Sequence, residues 1–402
     1  MAKIQNVNNR NFRMFLLISN SGAKKFDLMR HEGEKLNLNT NLLKERKARI
    51  RKAFSLEKPD RTPVVLMADA FCATHMGVKL SDFCSSLTYS NQVMVDSMKE
   101  LQADAICHVT GYAPIMPLSF MSRVKLPGVN LPDNALWQLD EQEMMTTEDY
   151  DIILNKGWMP FMTDYMENRL KIQLEPLFAE LAEWPQYIRN FENNGTAVLT
   201  PVNGTVVYEL LNGGRSMPSF VKDLYKIPDK VEAVLDVIQK ETSGRLRHKI
   251  HEVKPEVVFL SPARGASEFF GPKLWQRFVW KYLKATADVI IEEGADVCLH
   301  LDAHWERDLE FFRAFPKGRC LFDTDGATDI YKIKAVLGDI MAIKGDVPAA
   351  MLALGTPDDV YNYSTRLIED MGPGFILSSG CSIPPNAKVE NVKAMISAAT
   401  GK

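Results

Sequence analysis

The hydrophobic and polar positions repeat in a regular order along most of the chain. Apolar runs of strand length, each ending in small or polar residues, occupy residues 63–67, 103–109, 197–202, 257–260, 296–301, 319–322, 340–343 and 375–377. Stretches with apolar residues at helical spacing follow most of them. Strands that read as unbroken apolar runs are buried on both faces, as in parallel sheets covered by helices. Eight such runs interleaved with helices predict an α/β protein, a single (β/α)8 TIM-type barrel. An open doubly wound sheet is the alternative, but no GxGxxG fingerprint follows the first run.

Two segments stand outside the repeat. Residues 1–40 are polar and irregular, with a short helix expected over 24–35, and read as an N-terminal arm. From 41 to 55, Leu42, Leu43, Ala48, Ile50, Ala53 and Phe54 recur among lysines and arginines, which predicts an amphipathic helix capping the barrel base. Residues 41–402 are then one domain. The connection between the second and third runs holds an insertion at about 120–195 with Trp137, an acidic stretch over 140–151 and a helical stretch over 170–184. A connection of that size is expected to act as a lid over the barrel mouth. Met116, Met121, Met144, Met145, Met159 and Met162 lie in or beside it, as adaptable packing or a pliable substrate wall.

Composition narrows the class. With 402 residues, 46% of them hydrophobic, the chain can bury an enzyme-sized core. The 48 basic and 51 acidic residues leave a net charge of -3, so no extended positive field invites nucleic acid or anionic lipid. Cys72, Cys84, Cys107, Cys298, Cys320 and Cys381 are scattered without a CxxC pair, as expected of a cytoplasmic protein in a reducing compartment. The apolar run Phe15, Leu16, Leu17, Ile18 is too short to span a bilayer and has no cleavage site after it, so neither export signal nor membrane span is expected.

The most specific motifs lie in the last sixty residues. Gly345-Asp346-Val347-Pro348 forms a turn, Gly355-Thr356-Pro357-Asp358-Asp359-Val360 starts a helix, and Gly380-Cys381-Ser382-Ile383-Pro384-Pro385 follows the last apolar run. Thr356 is placed as an N-cap, Pro357 as the first helical residue and two acids fill the first turn. Gly380 permits a sharp turn where barrel active sites sit, placing Cys381 at the mouth. With Arg61-Thr62-Pro63-Val64, Asp223-Leu224 and Glu390-Asn391-Val392, these motifs resemble the uroporphyrinogen decarboxylase superfamily over roughly residues 40–402.

The resemblance implies a barrel enzyme and offers two chemistries. The decarboxylases carry arginines after the first strand and an aspartate at the second. Here those segments read Met67-Ala68-Asp69-Ala70-Phe71-Cys72 and Ile106-Cys107-His108-Val109-Thr110. A polycarboxylate facing Asp69 without an arginine fork would be repelled. The other branch moves methyl groups between a corrinoid protein and a thiol or a methoxylated or methylated compound, and its thiol-methylating members bind zinc through His-x-Cys on the fifth strand and a cysteine in the final turn. This chain has His300-Leu301-Asp302 and Cys381 at those places. Residues two apart on a strand share a face, so His300, Asp302 and Cys381 form an N/O/S set acceptable to zinc with a fourth position open. Aspartate in place of cysteine favours polarising an ether oxygen over activating a thiol.

The expectation is therefore a corrinoid-dependent methyltransferase that demethylates a methoxylated, aromatic-ether-type substrate. Cobalt(I) of the corrinoid would attack the methyl carbon. Asp302-Ala303-His304-Trp305-Glu306-Arg307 imitates a cobalt-ligating loop but has Arg307 where that loop needs glycine, so the corrinoid is expected on a separate partner protein. His300, Asp302 and His108 are the catalytic candidates. Asp69, Arg264, Glu268, Asp323 and Asp346 are the substrate-binding candidates, since each follows a strand. The alternatives are a decarboxylase with an altered pocket, a thiol-methylating enzyme, and a non-enzymatic barrel in which His300, Asp302 and Cys381 are only a polar cluster. Asp346 has the competing reading of a cap for residues 349–354. The oligomeric state is left open, a homo-oligomer included.

Overall fold

The computed structural model describes residues 38–111 and 113–401. The helix expected at 24–35 lies outside the described residues. Eleven strands are labelled in chain order: β1 Val65–Leu66, β2 Ala105–Ile106, β3 Arg123–Lys125, β4 Gln138–Asp140, β5 Ala197–Val198, β6 Val202–Thr205, β7 Val257–Ser261, β8 Asp296–Leu301, β9 Cys320–Thr324, β10 Ala342–Val347 and β11 Phe375–Ser379. Helices separate the parallel strands except β5 and β6, which follow one another directly. β8, β9, β10 and β11 are buried at every residue, as expected of largely apolar strands covered on both faces.

The α/β class with parallel sheets is the expected one; ring closure is not continuous. Among the described residues the ladders form a parallel sheet β1-β2-β5, a parallel sheet β11-β10-β9-β8-β7-β6 and the hairpin β3-β4. The two parallel sheets meet at a single bridge, Val64 to Leu377, with the Leu377 N–H donating to Pro63 O at 2.9 Å. They are also joined covalently, because the third apolar run splits into β5 and β6. Pro201, between them, has no N–H to offer a ladder, and the Thr200 hydroxyl donates to Cys107 O at 2.7 Å instead.

Alternation along the strands sorts side chains into two layers. Val65, Met67, Ala105, Cys107, Ala197, Leu199, Val257, Cys298, Leu321, Ala342 and Ile376 form an inner cluster, joined by Ile50, Ala53 and Phe54 of the helix over 38–54. That helix plugs the inner layer, as its pattern predicted. It is pinned by buried Asp104, which accepts from Arg49 at 2.7 Å and from both Arg61 nitrogens at 2.8 Å. The intervening residues (Val258, Leu260, Val297, Leu299, Phe322) pack outward against the helices.

The segment 120–195 has its own hairpin and helices, including Trp158–Asp164, Leu174–Ala182 and Trp184–Glu192. Of the helical stretch expected over 170–184, residues 174–182 are helix, and a second helix opens at Trp184 with Pro185 in its first turn. Glu141, just after the hairpin, pairs with Arg264 beyond β7 at 2.5 Å, while Glu241 of the outer helix Pro228–Val253 accepts from Trp158 N at 2.9 Å. No helix of the described residues is long and apolar enough to cross a membrane.

Candidate active site at the strand ends

Three adjacent strands place a polar row across an apolar sheet. His300 on β8 stands opposite Asp323 on β9, and Asp323 opposite Lys344 on β10. All three are buried, Asp323 and Lys344 completely. Burying charges without partners would be prohibitive, and here each has one. Lys344 Nζ donates to Asp323 Oδ1 at 2.6 Å, and His300 Nδ1 donates to Asp323 Oδ2 at 2.9 Å. The Cys298 thiol adds a weak contact to Oδ2 at 3.8 Å.

The other edge of the imidazole faces the strand ends. His300 Nε2 lies 3.2 Å from Asp302 Oδ1 and 3.7 Å from Cys381 Sγ. Nitrogen, carboxylate oxygen and sulfur all lie within 4.8 Å of one another. With carboxylates at both ring nitrogens, the imidazole is held as a cation. Burial pulls its pKa down, but the charges of Asp323 and Asp302 outweigh burial and move it well above the usual histidine value. Burial likewise works against Asp323 and Asp302, yet Lys344 with His300 for the first, and His300 for the second, hold both below the usual carboxylate range. Lys344 is raised, Asp323 outweighing burial.

Loops from neighbouring strands fix this edge. Asp302 precedes Ala303, which has a left-handed backbone (φ 68°) that is unfavourable for a residue with a Cβ. The turn is held by the Ala303 N–H donating to Asp325 Oδ2 at 2.9 Å and by the Thr328 hydroxyl donating to Ala303 O at 2.9 Å. Cys381 follows Gly380, where any Cβ would come within 2.3 Å of the Asp325 backbone oxygen. Only glycine lets the two loops approach so closely.

An aromatic wall completes the surroundings. The Phe259 ring on β7 stacks on His300 with centroids 5.5 Å apart and meets His108 edge-on at 5.0 Å. Burial, then the charges of His300 and Lys344, push His108 down to about 4. It is a neutral imidazole near a charged one.

The remaining candidates lie around this core. Asp346 accepts from the Tyr363 hydroxyl at 2.8 Å, and burial raises its pKa. The capping reading for Asp346 fails: the helix Ala349–Leu354 has Pro348 at its N-cap and no side-chain cap bond. Asp69 is buried at the start of the helix Asp69–His75, and its charge adds to the burial that raises Cys84 to about 12. Arg264 is engaged by Glu209 and Glu141, and Glu268 is exposed on the short turn Ser267–Phe269. Cys72, Cys84, Cys107, Cys298 and Cys320 are buried free thiols, and Cys381 is half-buried. Lys344 and Phe259 were not among the candidates, whereas Asp325, which follows the sixth apolar run, was expected to line the mouth. A lone lysine between Ile343 and Gly345 in an otherwise apolar stretch was the available signal for Lys344.

Comparison with known proteins agrees with this description. Residues 203–401 match the family model described as "Uroporphyrinogen decarboxylase (URO-D)". Proteins named uroporphyrinogen decarboxylase from Coxiella burnetii strains Dugway 5J108-111 and RSA 493 / Nine Mile phase I are each 24% identical over 178 residues, 44% of this chain. The matched stretch spans about half of each relative, 48% of its length. A solved structure of a methyltransferase from Methanosarcina mazei superposes with a TM-score of 0.67 at 17% identity, covering 88% of this chain and 97% of the other. That likeness establishes the shared fold.

Proposed function

Because the chain belongs, through residues 203–401, to the uroporphyrinogen decarboxylase family, we propose that it is a methyltransferase with zinc held between His300, Asp302 and Cys381. It moves a methyl group between a methoxylated, aromatic-ether-type substrate and a corrinoid on a separate protein. The observation that carries this reading is the donor set of one imidazole, one carboxylate and one thiol within 4.8 Å. Three protein ligands with one position left open is the composition of a catalytic zinc site. Zinc bound there would supply Lewis acidity toward an ether oxygen.

The protein's own groups support that assignment. Asp323, kept anionic by Lys344, accepts the His300 Nδ1–H hydrogen bond and so directs Nε2 toward Asp302 and Cys381, the carboxylate–histidine arrangement that orients metal-binding imidazoles. Charge also favours the exchange. Without metal, His300 and Lys344 as cations balance Asp302 and Asp323. A divalent ion that displaces one proton from His300 and one from Cys381 leaves the cluster neutral again, so no net charge is added beside the buried Asp323 and Lys344. One carboxylate among the ligands favours ether polarisation over thiol activation. The strand ends are further read as one barrel mouth, with the ring running through β5, β6 and the Val64 to Leu377 bridge, and the segment 120–195 as its lid.

Porphyrinogen decarboxylation is the second reading, favoured by the names of the Coxiella relatives. Among the described residues no arginine contacts His300, Asp302, Asp323 or Cys381, and Arg264 is already engaged by two glutamates. The two are separated by supplying the zinc-loaded protein with a cob(I)alamin-carrying partner and a methoxylated aromatic. Loss of cob(I)alamin absorbance is expected, slowed about 100-fold or more in His300→Ala, with no coproporphyrinogen formed from uroporphyrinogen. Transfer that survives His300→Ala and Cys381→Ala but is abolished by His108→Ala would overturn the metal assignment. Transfer only to a free thiol would place the chain in the thiol-methylating branch.

A further inference from the structure

A cavity of about 780 Å3 lies away from this cluster, bounded by the helix Pro228–Val253, the helix Trp158–Asp164 and β6. None of His300, Asp302, Asp323, Lys344 or Cys381 lines it. Its volume is that of a site for a small organic molecule. One wall is apolar and partly open, formed by Trp158, Met159, Met162 and Phe178, the last 47% exposed. Methionines there provide contact that adapts to a ligand's outline.

The opposite wall is the middle of the long helix, where Gly244 separates Ser243 from Arg245. Glycine is the least favourable residue after proline in a helix interior. A Cβ at Gly244 would meet nothing within 4 Å, so packing does not demand glycine. Its effect is to leave the wall flat where the cavity passes it.

The two walls are tied together. The Glu241 carboxylate accepts from the Trp158 N–H at 2.9 Å and the Met159 N–H at 3.0 Å. Glu252 is likewise occupied, by Lys249 at 3.3 Å. Arg245 and His248, exposed and one helical turn apart where the cavity opens, have side chains with no hydrogen-bond or ion-pair partner among the described residues. The lining therefore presents aromatic and sulfur surface on one side and unmatched basic groups on the other.

We propose that this cavity is a binding site for an aromatic organic anion, its ring against Trp158, Met159, Met162 and Phe178 and its acidic group on Arg245 and His248. The site is separate from the methyl-transfer reading and stands whether or not that reading holds. The probe is 8-anilinonaphthalene-1-sulfonate, an aromatic sulfonate whose emission rises in apolar surroundings, titrated into the full chain. One equivalent should bind, more weakly as salt increases. Gly244→Trp, whose Cβ would meet nothing within 4 Å, should weaken binding at least ten-fold with an unchanged circular dichroism spectrum. Arg245→Gln combined with His248→Gln should also weaken it about ten-fold and remove the salt dependence. Cys381→Ala should leave it unchanged. Binding that is insensitive to both sets of cavity changes would overturn the proposal. So would a wild-type dimer that excludes the probe and dissociates in Gly244→Trp, which would make the cavity an interface between copies.

Discussion

Lys344 and Asp323 show how much a single buried charge can decide. Both are completely buried and 2.6 Å apart, so Lys344→Met takes from the buried Asp323 carboxylate one of its two cationic partners and leaves it only His300. A loss of about 3–5 kcal/mol is expected in urea denaturation. Lys344→Met combined with Asp323→Asn should cost less than the single change, since neither charge then remains; a larger loss in the double variant would contradict the pairing. Asp323→Asn alone should weaken zinc binding about 10–100-fold.

The two histidines give opposite pH dependences to the metal-free protein. The His300 pKa is raised, so its stabilisation is complete below the unfolded value near 6.5 and is lost as pH rises through the folded value. His108 is lowered to about 4 from 6.5. Between these values the unfolded chain binds a proton that the folded chain does not, and stability falls with acid. Melting temperature against pH should therefore lose its alkaline decline in His300→Asn and part of its acid decline in His108→Gln. Identical profiles in the wild type and both variants would refute these shifts. His300, Asp302 and Cys381 were legible as a set because they occupy the places of the ligand motif in the family the sequence resembles; the period of two relates only His300 to Asp302. Lys344 was not, because its pairing is decided across strands by residues about twenty positions apart.

At the level of elements, patterning was informative wherever a single periodicity ruled. The helix over 38–54 was read from its apolar stripe within three residues at its start and one at its end, and the helix Pro357–Met371 from its cap. Thr356 and Asp359 form the reciprocal capping box, with the Asp359 N–H donating to Thr356 Oγ1 at 3.2 Å. Thr356→Ala should cost about 1 kcal/mol, and Phe54→Ala, which empties a fully buried site in the inner layer, about 3–5 kcal/mol. Equal costs in chemical denaturation would contradict the plugging role of the basal helix. The third apolar run was misjudged as one strand because Pro201 lies at its end, where the missing N–H breaks the ladder. The hairpin β3-β4 was not legible, since β3 and β4 are only three residues each with a single apolar residue apiece, Val124 and Leu139, too short for a periodicity to register.

For the whole molecule, the order of alternating strands and helices was visible because most of the parallel strands are buried on both faces and read as largely apolar runs. How the sheets join was not, because it rests on one bridge at Val64 and one proline. The site follows from that order: β8, β9, β10 and the turn after β11 are neighbours or near neighbours in space, so four distant stretches of sequence meet around one imidazole. The claim on which the functional reading depends is that this meeting point is a metal centre. It is tested most directly by stripping the protein of metal, adding back zinc, and measuring the equivalents retained after gel filtration by the wild type and by Cys381→Ala. About one equivalent is predicted for the wild type, with close to two protons released on binding, and little or none for the variant. The same zinc content in both proteins would mean that Cys381 is not a ligand and would contradict the account.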